Sequence, residues 1–86
     1  MFAIEVHPNA VKHGLTKEDV IYAWGNFIRK QRRALPNIDQ MVAIGFDRKG
    51  NFIELIAIDK PFGVLIYHVK VPPTEKILKE LGMARK

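Results

Sequence analysis

Three apolar segments joined by tight turns make up the second half of the chain, and they constrain its fold more than any other feature. The segments cover residues 40–46, 51–58 and 64–71. The first turn, residues 47–50, ends in a glycine, which adopts the positive φ that hairpin turns require. Strands joined by turns this short pair in antiparallel fashion. The middle segment is apolar almost throughout, so we predict that it lies in the middle of the sheet.

The flanking segments show both strand and helix periodicity. Residues 2–7 alternate between apolar and polar side chains, as is typical of a half-buried strand. Over residues 17–29 the apolar side chains recur at helical spacing: Val20, Ile21, Trp24, Phe27 and Ile28. Trp24 and Phe27 are therefore predicted to lie in the core. A last helix is predicted between Thr74, which can cap its first turn, and Gly82, which can end it.

Together these segments predict an α+β domain. In chain order they are a strand, a short helix over residues 9–13, a long helix, three strands and a final helix. Two consecutive helices most economically cover one face of a sheet. We therefore predict a single domain, residues 1–86, in two layers: an antiparallel sheet of about four strands with the helices on one face. Gly25, within the long helix, indicates a close packing contact.

Composition narrows the class of partner. The net charge of +5 and a pI of about 9.8 favour an anionic partner such as RNA, DNA or an acidic protein. The chain has no cysteine, which fits a reducing cytoplasm and excludes disulfides. No apolar run approaches the roughly 18 residues that a membrane span requires. We therefore expect a cytoplasmic protein with no membrane partner.

Residues 12–20 combine a helix stop, a helix start and two basic side chains. Gly14 can take the left-handed conformation that ends a helical turn, and Thr16 can cap the helix that follows. Lys12 and His13 are therefore predicted to lie at a fixed corner beside the first strand. Such a corner either holds a catalytic base or a phosphate-binding cation, or is an ordinary joint between two helices.

The last strand carries a second pair of polar side chains. Alternation along it places His68 and Lys70 on one side and Tyr67 on the other, where we predict core packing. Val64 and Ile66 share the side of His68. Because this strand can lie close to the first, we expect its polar face to approach the corner described above. The alternative is an ordinary strand histidine packed over apolar neighbours.

Residue types exclude several kinds of catalysis. The chain contains neither serine nor cysteine, which excludes Ser-His-Asp and Cys-His arrangements. Its three histidines, His7, His13 and His68, match no metal-ligand spacing, so we expect no metal and no cofactor. RNA cleavage fits what remains, because the 2′-hydroxyl of RNA is a nucleophile that the substrate supplies. The protein then needs a base, an acid and cations at the phosphate.

Basic side chains can fill these roles. His68 or His13 is predicted to transfer protons. Lys12 and Lys70 are predicted to neutralise the scissile phosphate. The predicted contacts to the RNA backbone are four arginines: Arg29, Arg32, Arg33 and Arg48. The alternative for residues 29–33 is a solvated helix end whose cations complement the helix dipole.

Three stretches carry a family resemblance. Residues 12–16, KHGLT, precede acidic residues and an apolar helix. Residues 43–45, AIG, precede GNFIEL at 50–55, and IYHVK at 66–70 precedes TEK at 74–76. These stretches resemble signatures of the BrnT-like toxins, which belong to the RelE-like superfamily of ribonucleases from bacterial type II toxin–antitoxin systems.

The resemblance covers about residues 9–81. It implies a compact RelE-like sheet, cleavage of messenger RNA that halts translation, and a cognate antitoxin as protein partner. Where the family has an arginine on the last strand, this chain has Lys70, which does not make a bidentate phosphate contact. We therefore expect a toxin that acts as a metal-independent endoribonuclease, with RNA and an antitoxin as its partners.

Two other functions stay open at this point. One is a non-enzymatic RNA-binding module, because three strands followed by a helix also resemble a double-stranded-RNA-binding domain. The other is a protein-interaction module that binds an acidic partner, such as an antitoxin, through residues 29–33. Cleavage of RNA by the purified protein, as opposed to binding alone, separates the ribonuclease from both.

Overall fold

The computed structural model describes residues 2–11 and 14–83, which form an α+β fold, as predicted. No helix in this part of the chain is long and apolar enough to cross a membrane. The elements, in chain order, are β1 (Ala3–Val6), a 3₁₀ turn (Pro8–Ala10), α1 (Lys17–Gly25), β2 (Phe27–Arg32), β3 (Gln40–Phe46), β4 (Phe52–Lys60), β5 (Gly63–Lys70) and α2 (Glu75–Glu80).

The strands form one mixed sheet in the order β1-β5-β4-β3-β2. Neighbours among β2 to β5 are antiparallel, which confirms the predicted meander, and β4 lies in the middle as expected. The prediction of an antiparallel sheet of about four strands was wrong, because β2 is a fifth strand and β1 runs parallel to β5. No tight turn fixes the direction of β1, since α1 and three strands separate it from its partner.

The strand β2 replaces the end of the predicted long helix. The helix α1 ends at Gly25, and Asn26 has the non-helical angles φ −114° and ψ 42°. From Phe27 onward the backbone pairs with β3, with an irregularity at Ile28. Phe27 is consequently 46% exposed, so its prediction as a core residue was wrong, whereas Trp24 is buried as expected. Most of the basic residues 29–33 thus belong to an edge strand. Charged side chains on an edge discourage unwanted strand pairing.

The two helices lie on opposite faces of the sheet, which corrects the prediction that they share one face. The face under α1 contains Trp24 together with Leu55 of β4, and the face under α2 contains Ile77 together with Ile56 of β4. The physical reason is the composition of the central strand. Because β4 carries apolar side chains on both faces of the sheet, a helix has to cover each face to shield these side chains from water.

Candidate functional site

A β-bulge decides which way the polar residues of β5 point. Ile56 of β4 pairs with His68, but the next residue of β4, Ala57, pairs with Ile66, so Tyr67 is an extra residue. The predicted common face of Val64, Ile66, His68 and Lys70 was therefore wrong. Val64 and Ile66 pack in the core under α1, whereas His68 and Lys70 have register partners on the α2 face.

Tyr67 also packs on the α2 side, against the core formed with that helix. Its prediction as a core-packing residue is confirmed, but the prediction that it faces away from His68 was wrong. A bulge inserts one residue without reversing the face of the next, so Tyr67 and His68 can follow each other on one side of the sheet. Alternation alone does not contain this information.

The His68 ring is held by a buried carboxylate. Its Nε2 lies 2.8 Å from Oε2 of Glu54, whose side chain is only 2% exposed. The other oxygen of Glu54, Oε1, accepts hydrogen bonds of 2.8 Å from the backbone N–H and from the hydroxyl of Thr74. Thr74 in turn caps α2, as predicted. The carboxylate thus connects the histidine to the start of a helix and has little freedom to move.

This geometry fixes the hydrogen on one nitrogen of the ring. A carboxylate only accepts hydrogen bonds, so Nε2 of His68 must donate to Glu54, and Nδ1 is then the unprotonated nitrogen of the neutral ring. The side chain of His68 is 39% exposed, so the ring is open to a ligand. A histidine oriented by a carboxylate in this way is suited to accept a proton from a hydroxyl group.

Glu54 is the site residue that sequence reasoning missed. It stands within an otherwise apolar, central strand, and a charge at such a position needs a partner because burial without one costs several kcal/mol. That rule could have identified Glu54 as a residue of interest. It could not have identified the partner, since His68 and Thr74 become neighbours only through strand register and the position of α2.

Lys70 lies on the same face as His68. It pairs in register with Glu54, two residues beyond His68 along β5, and it is exposed. Two residues along a strand span roughly 7 Å, so the ammonium group of Lys70 can reach a phosphate beside the His68 ring. The structure therefore brings together two of the four predicted catalytic residues.

The other two, Lys12 and His13, lie outside the described residues. The segments on either side agree with several expectations: Gly14 has φ +77°, and Thr16 caps α1 in a reciprocal pair of hydrogen bonds with Asp19. The pairing of β1 with β5 also brings the first strand next to the last, as expected. The approach of Lys12 and His13 to His68 stays a prediction.

Arg48, predicted to contact RNA, forms an ion pair within the protein. Its guanidinium lies 3.2 Å from a carboxylate oxygen of Asp19, which is fully buried at the start of α1. Arg48 belongs to the predicted hairpin turn, and Asp47 shapes that turn by accepting hydrogen bonds from Asn51 and Lys49. The pair therefore ties the β3–β4 turn to the first turn of α1.

Asp19 is expected to make stability dependent on pH. Hydrogen bonds from Thr16, above all from its backbone N–H, hold the pKa of Asp19 below the usual 3.8. A carboxyl group whose pKa is lower in the folded state stabilises the fold above pH 3.8. That contribution disappears as the pH falls through the folded-state pKa. We expect Asp19→Asn to be less stable at neutral pH, but to lose less further stability in acid than the wild type.

The denaturant midpoint at each pH measures this effect. Asparagine keeps an oxygen that can accept the hydrogen bonds of Thr16, so the helix cap is largely preserved while the charge is removed. An equal loss of stability on acidification in both chains would contradict a role for the ionised carboxylate.

Two more of the predicted RNA-binding arginines lie against the end of α2. Arg29 donates to the carbonyl oxygen of Leu81 at 3.2 Å, and Arg33 donates two hydrogen bonds of 2.9 Å to the carboxylate of Glu80. The hydrogen bond to Glu80 raises the pKa of Arg33. Both arginines bring positive charge to the carboxyl end of the helix, where it is favourable. They consequently have a structural role in joining β2 to α2.

Arg32 is also paired, at 2.8 Å, with Asp59 of β4, and both side chains are partly exposed. Three of the four arginines are therefore in ion pairs with carboxylates, which reduces the charge they present to a polyanion. On β2, the ammonium nitrogen of Lys30 lies 3.8 Å from the centre of the Trp24 ring, and burial lowers the pKa of Lys30. Whether any of these side chains contacts RNA stays a prediction.

No cluster of three or more metal-ligating side chains occurs among residues 2–11 and 14–83. One of the histidines in this part, His7, has a structural contact, since its Nδ1 accepts a hydrogen bond of 3.0 Å from the backbone N–H of Asn9. His7 thereby caps the 3₁₀ turn. His68 is thus the described histidine with a geometry suited to acid–base chemistry.

Comparison of the chain with protein-family models, with curated proteins and with solved structures gives no match.

Proposed function

We propose that this protein is an endoribonuclease that cleaves single-stranded RNA through the 2′-hydroxyl of its substrate. The observation that carries this proposal is the hydrogen bond between the partly exposed ring of His68 and the buried carboxylate of Glu54. Lys70 adds an exposed cation on the same face. These are the groups that a reaction with a substrate-supplied nucleophile needs.

In this mechanism Nδ1 of His68 takes the proton of the 2′-hydroxyl. The 2′-oxygen attacks the adjacent phosphorus, the bond from phosphorus to the 5′-oxygen breaks, and a 2′,3′-cyclic phosphate forms. The leaving 5′-oxygen takes up a proton, for which His13 is the candidate that the sequence offers. Lys70 stabilises the negative charge that accumulates on the phosphate oxygens, and Glu54 keeps the imidazole in its reactive tautomer.

The biological role that we propose is that of a toxin in a bacterial toxin–antitoxin pair. The resemblance of residues 12–16 and of the two later stretches to BrnT-like toxins supports this role. The net charge of +5 fits both proposed partners, because RNA is a polyanion and an acidic antitoxin would neutralise the toxin. Cleavage of messenger RNA would then arrest growth when the antitoxin is absent.

The purified protein is expected to cleave a single-stranded oligoribonucleotide in the presence of a chelator. The products should carry a 2′,3′-cyclic phosphate and a 5′-hydroxyl, which mass spectrometry identifies. A substrate with one 2′-deoxynucleotide at the cleavage position should resist cleavage there, because it lacks the nucleophile. Cleavage of that substrate, or products with a 5′-phosphate, would contradict the mechanism.

A protein-interaction module is the second candidate, and one observation favours it. The strand β2 is an edge of the sheet that carries cations and has two half-exposed apolar side chains, Phe27 and Ile28. An unpaired edge can accept an additional strand from a partner, and the cations on this edge would disfavour other basic strands and favour an acidic one. This candidate predicts no cleavage by the purified chain and tight binding to an acidic, extended peptide that does not depend on His68.

A further inference from the structure

A pair of phenylalanines lies on the α2 face of the sheet, next to the β3–β4 turn, where β3 and β4 extend beyond the end of β5. Phe46 and Phe52 form the last registered pair before the β3–β4 turn, and their rings are stacked with centroids 4.9 Å apart. Phe52 packs partly against the core under α2, whereas Phe46 is 47% exposed. Because Phe52 covers one side of Phe46, the exposed part of that ring lies on the side away from Phe52.

The pair lies next to the candidate catalytic groups. Glu54 pairs in register with Lys70, so Phe52, two residues earlier on β4, is the diagonal neighbour of Lys70. Diagonal neighbours lie about 7–8 Å apart, within reach of aromatic and long side chains. His68 follows on the same face. The phenylalanine pair, the cation and the oriented histidine therefore lie in sequence along one face of the sheet.

The surroundings favour a nucleobase as the ligand of this pair. The pairing of β4 with β5 begins at Glu54 and Lys70, so no residue of β5 pairs with Phe52. Two exposed lysines belong to neighbouring segments: Lys49 to the turn that joins the strands of the two phenylalanines, and Lys70 to β5. A ligand with a flat apolar group and a nearby negative charge matches this arrangement, and a nucleotide has both. Aromatic side chains on an open sheet face hold the bases of single strands in this way.

We propose that the Phe46–Phe52 pair is a stacking site for the base adjacent to the scissile phosphate of a single-stranded RNA. This inference rests on the proposed function, since Lys70 and His68 define where that phosphate lies. Phe46 supplies the exposed ring, and Phe52 holds it in place from the core side. Stacking tolerates different bases, so the site contributes affinity and register more than sequence choice.

Binding of a fluorescent 2′-O-methyl oligonucleotide, which the enzyme cannot cleave, tests the stacking site by anisotropy. Phe46→Leu is expected to weaken binding about tenfold to a hundredfold, the effect typical of losing one aromatic stacking partner. Phe46→Tyr keeps a ring and should bind like the wild type. The matched control is Phe62→Leu, because Phe62 is 40% exposed in the turn at the other end of β4. Its affinity should not change.

An abasic oligonucleotide separates stacking from charge. It should bind equally to the wild type and to Phe46→Leu, because it offers phosphates but no base to stack. Equal affinity of Phe46→Leu and wild type for the base-containing strand would overturn the stacking site, even if the enzyme cleaves RNA. Binding that depends on Phe46 in a chain that does not cleave would support base stacking on Phe46, but would contradict the ribonuclease and with it the position beside a scissile phosphate. No binding by the wild type would overturn both.

Discussion

The His68→Ala variant is expected to cleave RNA about a hundredfold to ten-thousandfold more slowly than the wild type, the range for losing a positioned acid–base group. The ring of His68 is partly exposed, and Glu54 keeps its two hydrogen bonds from Thr74 when the ring is removed. Because the buried carboxylate loses one partner, we expect the variant to fold but to be less stable, and circular dichroism checks the fold before rates are compared. Combined with Lys70→Ala, His68→Ala should abolish growth arrest in expressing cells. Initial rates on a labelled oligoribonucleotide and colony counts measure the two effects.

His7→Ala is the matched control for the loss of an imidazole. His7 caps the 3₁₀ turn and is not part of the Glu54 network, so the variant should retain cleavage even if it is slightly less stable. A His68→Ala, Lys70→Ala chain that folds and remains fully toxic would remove this face of the sheet from the mechanism.

Glu54→Gln separates orientation of the ring from its presence. The amide oxygen can still accept the hydrogen bonds of Thr74, but the amide nitrogen presents hydrogens to His68. Nε2 must then accept, so Nδ1 carries the hydrogen and cannot take the proton of the 2′-hydroxyl. We expect kcat to fall with little change in KM, and the nitrogen chemical shifts of the ring to report the reversed tautomer. An unchanged kcat would show that Glu54 acts only in folding.

Local sequence signals were sufficient for much of the fold. The turn at residues 47–50, the caps Thr16 and Thr74 and the strands β3 to β5 follow from residues that are close in sequence. The strand β2 was not predictable in this way, because its apolar residues continue the helical spacing of α1. Its strand conformation comes from pairing with β3, a contact that the local pattern does not encode.

The candidate site illustrates the same limit. His68 and Lys70 were identifiable as polar residues on a strand, but the bulge at Tyr67 determines their face, and it depends on the pairing of β5 with β4. Glu54 and His68, which form a hydrogen bond, are 14 positions apart in the sequence, and Arg33 and Glu80 are 47 positions apart. Such partners depend on tertiary register, which is why the arginines looked available to RNA in the sequence and are paired in the structure.

The largest loss of stability is expected for Gly63→Ala. Gly63 begins β5, pairs in register with Ala3 of β1 and has φ +145°. An added Cβ would overlap the carbonyl oxygen of Ala3 and lie 2.7 Å from its nitrogen, both rigid backbone atoms. Strain at that φ and the steric overlap together predict a loss of about 4 kcal/mol. For a domain of this size, this corresponds to a decrease of roughly 20 °C in the melting temperature.

Two other glycines divide this effect into its parts. Gly50→Ala has the same kind of strain, with φ +85°, but no atom within 4 Å of the added Cβ, so we expect a loss of only about 1–2 kcal/mol. Gly25→Ala introduces neither backbone strain nor steric overlap, so it should stabilise the chain by up to about 1 kcal/mol. The close packing contact predicted for Gly25 was therefore wrong, because no atom lies within 4 Å of the added Cβ. Thermal unfolding followed by circular dichroism ranks the three variants. If Gly63→Ala unfolds at the same temperature as Gly50→Ala, backbone strain alone accounts for the whole loss of stability. The parallel strand β1 would then not approach β5 as closely as described.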